Sequence, residues 1–282
     1  MVSGFDARNS LLVVEWIMLA SIPRPPVEVL MPATAELLFT VLGAGPLAVV
    51  LAIAIRHIVK GRGPLLLFCL IGGAVASLFE PFVDVMGLVY LPEHGAMGTF
   101  SLLGRRMPLF VPIMYPWYIG GLAYLVCRQF ESGVTTARVF KLWGTMAVIN
   151  FVLEAPGLLT HVYTYYGKQP LNLWGQPLWW GGVNAFTALV AGALVFGAKR
   201  FLGSGWALAG VVPLIFIAEG TSNAGTAWPM YAALNDGDLS YAWTYGACFV
   251  TIGLVVYGVW LIARMAQAVG PSRHGGPAPP AA

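Results

Sequence analysis

Seven stretches of this chain are each about as long as a bilayer is thick, and in them apolar residues run on without the alternation of a strand. A helix needs roughly 20 mostly apolar residues to cross the hydrocarbon core. Stretches of that length lie near residues 33–55, 64–90, 108–129, 141–162, 178–198, 204–229 and 241–265. Within a bilayer every backbone N–H and C=O must be satisfied by protein, which leaves helices and closed barrels. Barrel strands alternate apolar and polar residues, and these runs do not. The sequence therefore predicts an all-α polytopic membrane protein, a bundle of seven transmembrane helices.

Composition agrees. The 282 residues are 58% hydrophobic and 10% charged, with a mean hydropathy of +0.76, against about 25% charged residues in a soluble domain. Soluble, disordered and nucleic-acid-binding classes are excluded on that ground. The net charge of +3 is no polyanion-binding signature. Cys69, Cys127 and Cys248 all fall within spans, which reads as packing rather than a disulfide framework or metal cluster. Residues 1–30 read as an interfacial segment and linker. Leu11 to Ile22 is short for a span, SIPRPP follows it, and no cleaved signal peptide is expected. Residues 31–267 form the transmembrane domain. Residues 268–282, ending GPSRHGGPAPPAA, read as a disordered tail.

Loop charge predicts the orientation. Arg56, Lys60 and Arg62 follow span one, Arg128, Arg138 and Lys141 bracket the loop after span three, Lys199 and Arg200 follow span five, and Arg264 and Arg273 close span seven. The alternate loops mix Glu93, His94, Arg105, Arg106, Lys168, Asp236 and Asp238. The N-terminus is expected outside and the C-terminus in the cytoplasm, with a bacterial plasma membrane as the location.

Within this apolar frame stand unpaired acids. Glu80, Asp84, Glu154 and Glu219 lie inside spans and Glu36 near the end of one, while span interiors hold no Lys or Arg. A carboxylate in hydrocarbon is costly and normally functional. Without a cationic partner it must hold a proton, accept hydrogen bonds, or face a positively charged ligand or intermediate. At 1.5 Å per residue, Glu80, Glu154 and Glu219 lie roughly 24, 20 and 22 Å along their spans from the cytoplasmic end, one shared layer in the outer half of the bilayer.

Glu80 and Asp84, in FEPFVD, share a helix face at spacing four. Two carboxyls so placed in low dielectric do not both ionise readily, and one that keeps its proton is what a general acid requires. Asp84 can equally serve as an interhelical hydrogen-bonding group with Glu80 as its partner. In span four, Asn150 and Glu154 share a face and His161 lies two turns on, placed to pass protons or simply to stand at the interface. In span six, Glu219 and Asn223 share a face. Asn223 reads as a ligand contact or as part of a polar clasp between helices. Most of the outer aromatics belong to an interfacial belt. Trp117, Trp180, Trp228 and Tyr165 are the candidates to line a pocket and face a cation. No aspartate-rich diphosphate motif, phosphate loop, histidine box or retinal lysine is present, so neither a cofactor nor a metal is expected.

FEPFVDVMGLVY, LEAPGLLTHVYTYYG, the following GQPLWWGGVNA and the polar segment of span six together resemble the AveC-type spirocyclase family of integral membrane proteins, over roughly residues 35–260. The resemblance implies cofactor-free cyclisation, without fixing the substrate as a polyketide. An acid followed by tyrosines at an outer span end is also similar, more weakly, to membrane-integral terpene cyclases. Those enzymes start a cationic reaction from a protonated acid in an apolar pocket.

The leading expectation is thus a cofactor-independent cyclase or isomerase acting by acid catalysis on a hydrophobic prenyl- or polyketide-like small molecule. Asp84 or Glu80 would donate the proton, Glu154 or Glu219 would stabilise or remove positive charge, and Asn150, Asn184 and Asn223 would orient the carboxyls. A proton-coupled transporter using the acids as a relay, and a lipid-binding protein with no chemistry, stand as alternatives. The partners expected are that substrate and the bilayer. The oligomeric state is not set by the sequence.

Overall fold

The structure is a computed structural model that describes residues 22–270. The tail beyond residue 270 and residues 1–21, including nearly all of the Leu11 to Ile22 stretch, lie outside the described residues. Seven described helices are long and apolar enough to cross a membrane: α1 (Ala33–Val59), α2 (Leu65–Gly87), α3 (Phe110–Glu131), α4 (Thr136–Leu159), α5 (Leu178–Leu202), α6 (Gly205–Asn235) and α7 (Tyr241–Val269). The chain is an integral membrane protein. Helices α1 and α5 run past the apolar stretches into their basic ends, where Arg56, Lys199 and Arg200 stand, because Lys and Arg stems extend the helix while the charged heads reach the interface. Helix α4 starts at Thr136 rather than near 141, because the Thr135 side chain caps it, accepting the Arg138 N–H at 3.2 Å.

Helix α5 is the hub and packs on α3, α4, α6 and α7. Its small residues permit this. Between apolar helices in lipid, close van der Waals contact drives association, and small residues supply it. A Cβ on Gly192 would fall 2.4 Å from Val126 of α3. A second close crossing joins α2 to α3. A Cβ on Gly120 would fall 2.1 Å from the Cys69 carbonyl oxygen, and one on Gly73 would fall 2.6 Å from the Tyr115 carbonyl oxygen. The outward faces of α1, α4 and α7 expose Leu38, Val41, Val148, Val152, Phe249 and Tyr257, as a lipid-facing surface requires.

Three helices are interrupted, each at proline. In α2 a 3₁₀ turn, Ser77–Phe79, precedes Glu80 and Pro81. In α3 a π-helical stretch, Pro116–Gly121, starts at Pro116. In α6 another, Asn223–Ala227, precedes Trp228 and Pro229. Proline lacks an N–H and crowds the preceding turn, so the ladder changes pitch there. Pro46 and Pro156 instead sit inside uninterrupted helices. π-Turns are frequent at functional sites, and those in α3 and α6 lie beside the cavity described below.

The two ends of the bundle differ in charge. Among the described residues, one end holds Arg56, Lys60, Arg62, Arg128, Arg138, Lys141, Lys199, Arg200 and Arg264 against a single acid, Glu131. Glu131 is buried and paired with both Arg128 and Lys199, tying α3 to α5. It was not singled out from the sequence.

The other end is capped by short antiparallel pairs that the all-α expectation did not include. Strands β2 (Gly98–Leu102) and β3 (Arg105–Pro108) form a hairpin. Leu103 and Gly104 both have positive φ in its two-residue turn, the geometry that matches strand twist. Strands β1 (Val89–Tyr90) and β4 (Thr164–Tyr165) join the ends of α2 and α4, and β5 (Asn172–Leu173) pairs with β6 (Gln176–Pro177). Lys168 Nζ donates to the Gly237 and Leu239 carbonyls at 3.0 and 2.7 Å, fastening the remaining loop.

Glu36 belongs to this cap. It is 1% exposed and accepts the Met97 N–H at 2.9 and 3.2 Å. Substituting Glu36→Leu is expected to leave that N–H unpaired and loosen the hairpin. Amide exchange across residues 97–108 should then rise by about tenfold, for the loss of roughly 1–2 kcal/mol. Unchanged exchange would show that the carboxyl does not hold the cap.

Candidate functional site

Helices α2, α4 and α6 bring Glu80, Asp84, Glu154 and Glu219 to one cavity. The 3₁₀ turn before Glu80 and Pro81 restarts α2 so that the i, i+4 pair Glu80 and Asp84 both face inward. Leu88, in the left-handed region at φ 55°, then ends the helix and leads into β1. Gly181 and Gly182 of α5 let α4 approach closely, with Trp143 Nε1 donating to the Gly182 carbonyl at 2.9 Å. That contact sets Asn150 and Glu154 opposite Asn184.

The acids are held differently. Tyr115 of α3 donates its hydroxyl hydrogen to Glu80. Glu154 accepts from three side chains: Asn150 at 2.9 Å and Asn184 at 3.3 Å on one oxygen, and the Tyr165 hydroxyl at 2.7 Å on the other. Its backbone carbonyl accepts the Tyr163 hydroxyl at 3.0 Å. Glu219 receives only a long 3.4 Å contact from Asn223, whose amide nitrogen bonds the Glu219 carbonyl at 2.9 Å. Asn223 in turn accepts from Tyr231. Asp84 Oδ2 and Glu219 Oε2 are buried without a hydrogen-bond partner. Asp84 and Glu219 are 2% and 3% exposed, whereas Glu80 and Glu154 keep surface open to the cavity.

The remaining wall is apolar and aromatic. Phe39, Phe110, Met114, Ile119 and Leu153 form one part, and Tyr118, Tyr163, Tyr165 and Trp180 another. Ring contacts run from Tyr163 through Tyr165 and Trp180 to Tyr231, with centroids 6.3, 5.5 and 6.2 Å apart. Burial pushes the Tyr163 and Tyr165 hydroxyls well above the ordinary tyrosine range, and the Glu154 carboxyl adds to the effect. Both therefore stay protonated and act as donors. No Lys or Arg lines the cavity. Arg105, in β3, hydrogen-bonds the Tyr166 hydroxyl at 3.3 Å and lies 5.4 Å from the Tyr90 ring centroid, in the cap.

The cavity encloses about 120 Å³. That holds a handful of waters or a ring-sized group, so a longer ligand must extend beyond it. Among the described residues, no three His, Cys, Asp or Glu side chains come together as a metal-ligating group. The three cysteines are free and buried.

Of the residues singled out from the sequence, Glu80, Asp84, Glu154, Glu219, Asn150, Asn184, Tyr165 and Trp180 line this cavity. Four do not. Asn223 stands behind Glu219 and braces it. Trp117 sits in the π-turn of α3 against Tyr118. Trp228 is 57% exposed on α6. His161 is exposed and occupies the left-handed position that ends α4, with the Val162 N–H bonding the Gly157 carbonyl and its own N–H the Leu158 carbonyl. This is a backbone role as a helix C-cap. Sequence reasoning missed Tyr115 and Tyr118, which looked like belt residues, and Tyr163, which read only as one of the tyrosines following span four. The signal available was their spacing: Tyr115 and Tyr118 lie three apart on one face of a span broken by Pro116, while Tyr163 and Tyr165 are two apart at a strand.

The fold and site define a seven-helix membrane protein with a carboxyl-lined apolar chamber. In comparisons with known proteins, no family model, no curated protein and no solved structure matches the chain.

Proposed function

We propose that the protein is a cofactor-independent membrane-integral cyclase or isomerase that uses acid catalysis on a hydrophobic prenyl- or polyketide-like substrate, in the manner of the AveC-type and membrane terpene cyclases it resembles. One observation carries this reading: four carboxyls from three helices line one aromatic cavity whose wall has no basic side chain. Asp84 or Glu80 gives its proton to an epoxide, olefin or carbonyl oxygen or carbon. The substrate's own nucleophilic group closes the ring, and a carboxylate takes a proton back, so the product is an isomer. Glu154, held by three donors, suits the role of a fixed carboxylate that stabilises positive charge. Tyr118, Tyr163, Tyr165 and Trp180 offer ring faces that favour a cation without acting as bases.

The test is to supply the purified protein with 6,7-epoxygeraniol and 10,11-epoxyfarnesol and look for cyclised products of unchanged mass. Wild-type protein should form them, and Glu80→Gln and Asp84→Asn should not. Full activity in both variants would remove these acids from the mechanism.

The π-turns in α3 and α6 beside the cavity favour a second reading, proton-coupled transport, because interrupted helices often frame transport sites. Proton-gradient-driven uptake of the same compounds into liposomes, without isomerisation, would support it. Binding with neither flux nor turnover would leave a lipid-binding protein.

The basic end is proposed to face the cytoplasm of a bacterial cell, with the capped end outside. A single cysteine introduced at Gly104, in the hairpin turn, should react with a membrane-impermeant thiol reagent on intact cells. One at Gly61, in the basic loop, should react only after lysis. The reverse pattern would invert the topology.

A further inference from the structure

Two polar groups in the cavity wall other than the acids lack hydrogen-bond partners: Asn150 Oδ1 and the Tyr118 hydroxyl. Asn150 is 3% exposed. Its amide nitrogen is committed to Glu154 at 2.9 Å, which fixes the orientation of the amide and leaves Oδ1 as a free acceptor. The Tyr118 hydroxyl and Asn150 are near enough to influence each other electrostatically, yet neither that hydroxyl nor Asn150 Oδ1 has a partner in hydrogen-bond geometry. Gly181 of α5 completes the cradle, since a Cβ there would stand 3.2 Å from Asn150 Oδ1.

Orphaned buried polar groups are rare in folded proteins and call for an explanation. An amide oxygen takes only a donor, whereas a phenol hydroxyl can donate or accept. A ligand hydroxyl meets both needs, donating to Asn150 and accepting from Tyr118. An ether or ketone has no hydrogen for Asn150. An ammonium has no lone pair for the phenol hydrogen.

We infer that Tyr118 and Asn150 form a hydroxyl-binding subsite, so that the substrate class is an isoprenoid- or polyketide-like alcohol. This deepens the function proposed above and rests on the cavity being its substrate site. It does not depend on which acid gives the proton, or on whether one does.

The experiment uses the full chain in nanodiscs, with geraniol and geranyl methyl ether as probes and tryptophan fluorescence as the readout, since Trp180 lies in the wall. Geraniol should bind about tenfold more tightly than the ether, because a site built to bond a hydroxyl is left unpaired by its analogue. Tyr118→Phe should remove most of that preference while keeping the wild-type unfolding midpoint. Gly181→Ala, which presses on the amide oxygen, should weaken geraniol binding and leave ether binding unchanged. Equal binding of the two probes, no binding of either, or a preference that survives in a folded Tyr118→Phe variant would overturn the inference. If the acid variants stay active while the alcohol preference holds, the catalytic assignment fails and the subsite stands.

Discussion

Asp84→Asn and Glu80→Gln should each lower formation of cyclised product by about 10²–10⁴-fold, the usual contribution of a positioned general acid, while the bundle stays assembled. Both replacements keep the shape of the side chain. In Glu80→Gln the amide oxygen can still accept from Tyr115, which in the wild-type protein donates to the Glu80 carboxyl. Asp84 Oδ2 has no partner to lose. The changes therefore remove an acidic proton and little else. Product should be followed by chromatography with mass detection, alongside unfolding midpoints of the purified variants. A large loss of product with an unchanged midpoint places the defect in chemistry. A matched loss of both would make these acids structural.

Gly120→Val is expected to cost the folded state about 3 kcal/mol and to deplete monodisperse protein. The added Cβ would meet the Cys69 carbonyl oxygen at 2.1 Å. That atom is backbone, so no rotamer change relieves the clash, and α2 and α3 must part. Their separation would also move Tyr115 from Glu80. Gly45→Ala is the matched control, because nothing lies within 4 Å of a Cβ at that position of α1. Thermal unfolding in one detergent should show a large drop for the first and almost none for the second. Equal behaviour would mean that the α2–α3 crossing is not close in solution.

The candidate site was partly legible in the chain because charge in an apolar run stands out at any packing. Glu80, Asp84, Glu154 and Glu219 needed only hydropathy to be noticed, and Asn150 only its spacing from Glu154. Tyr118 and Tyr163 were not legible, since a tyrosine within a span or just past its end reads the same whether it faces lipid, water or a cavity. His161 read from its distance to Glu154 as a proton carrier or as a plain interfacial residue, and its backbone takes the left-handed turn that ends α4. Glu36 shared the acidic signal and went elsewhere, to a hairpin N–H that no local pattern links to it.

The amino-acid sequence alone determined that seven helices form and that acids lie within them, because both follow from the cost of bare backbone and bare charge in hydrocarbon, which acts residue by residue. Only the tertiary structure decided which acids meet, which donors hold them and which oxygens stay unpartnered. Those outcomes depend on how closely α2, α3, α4 and α5 approach at Gly73, Gly120, Gly181 and Gly192, and on where the 3₁₀ and π turns rotate each helix. Such contacts arise between elements far apart in the chain, so no periodicity within one segment records them.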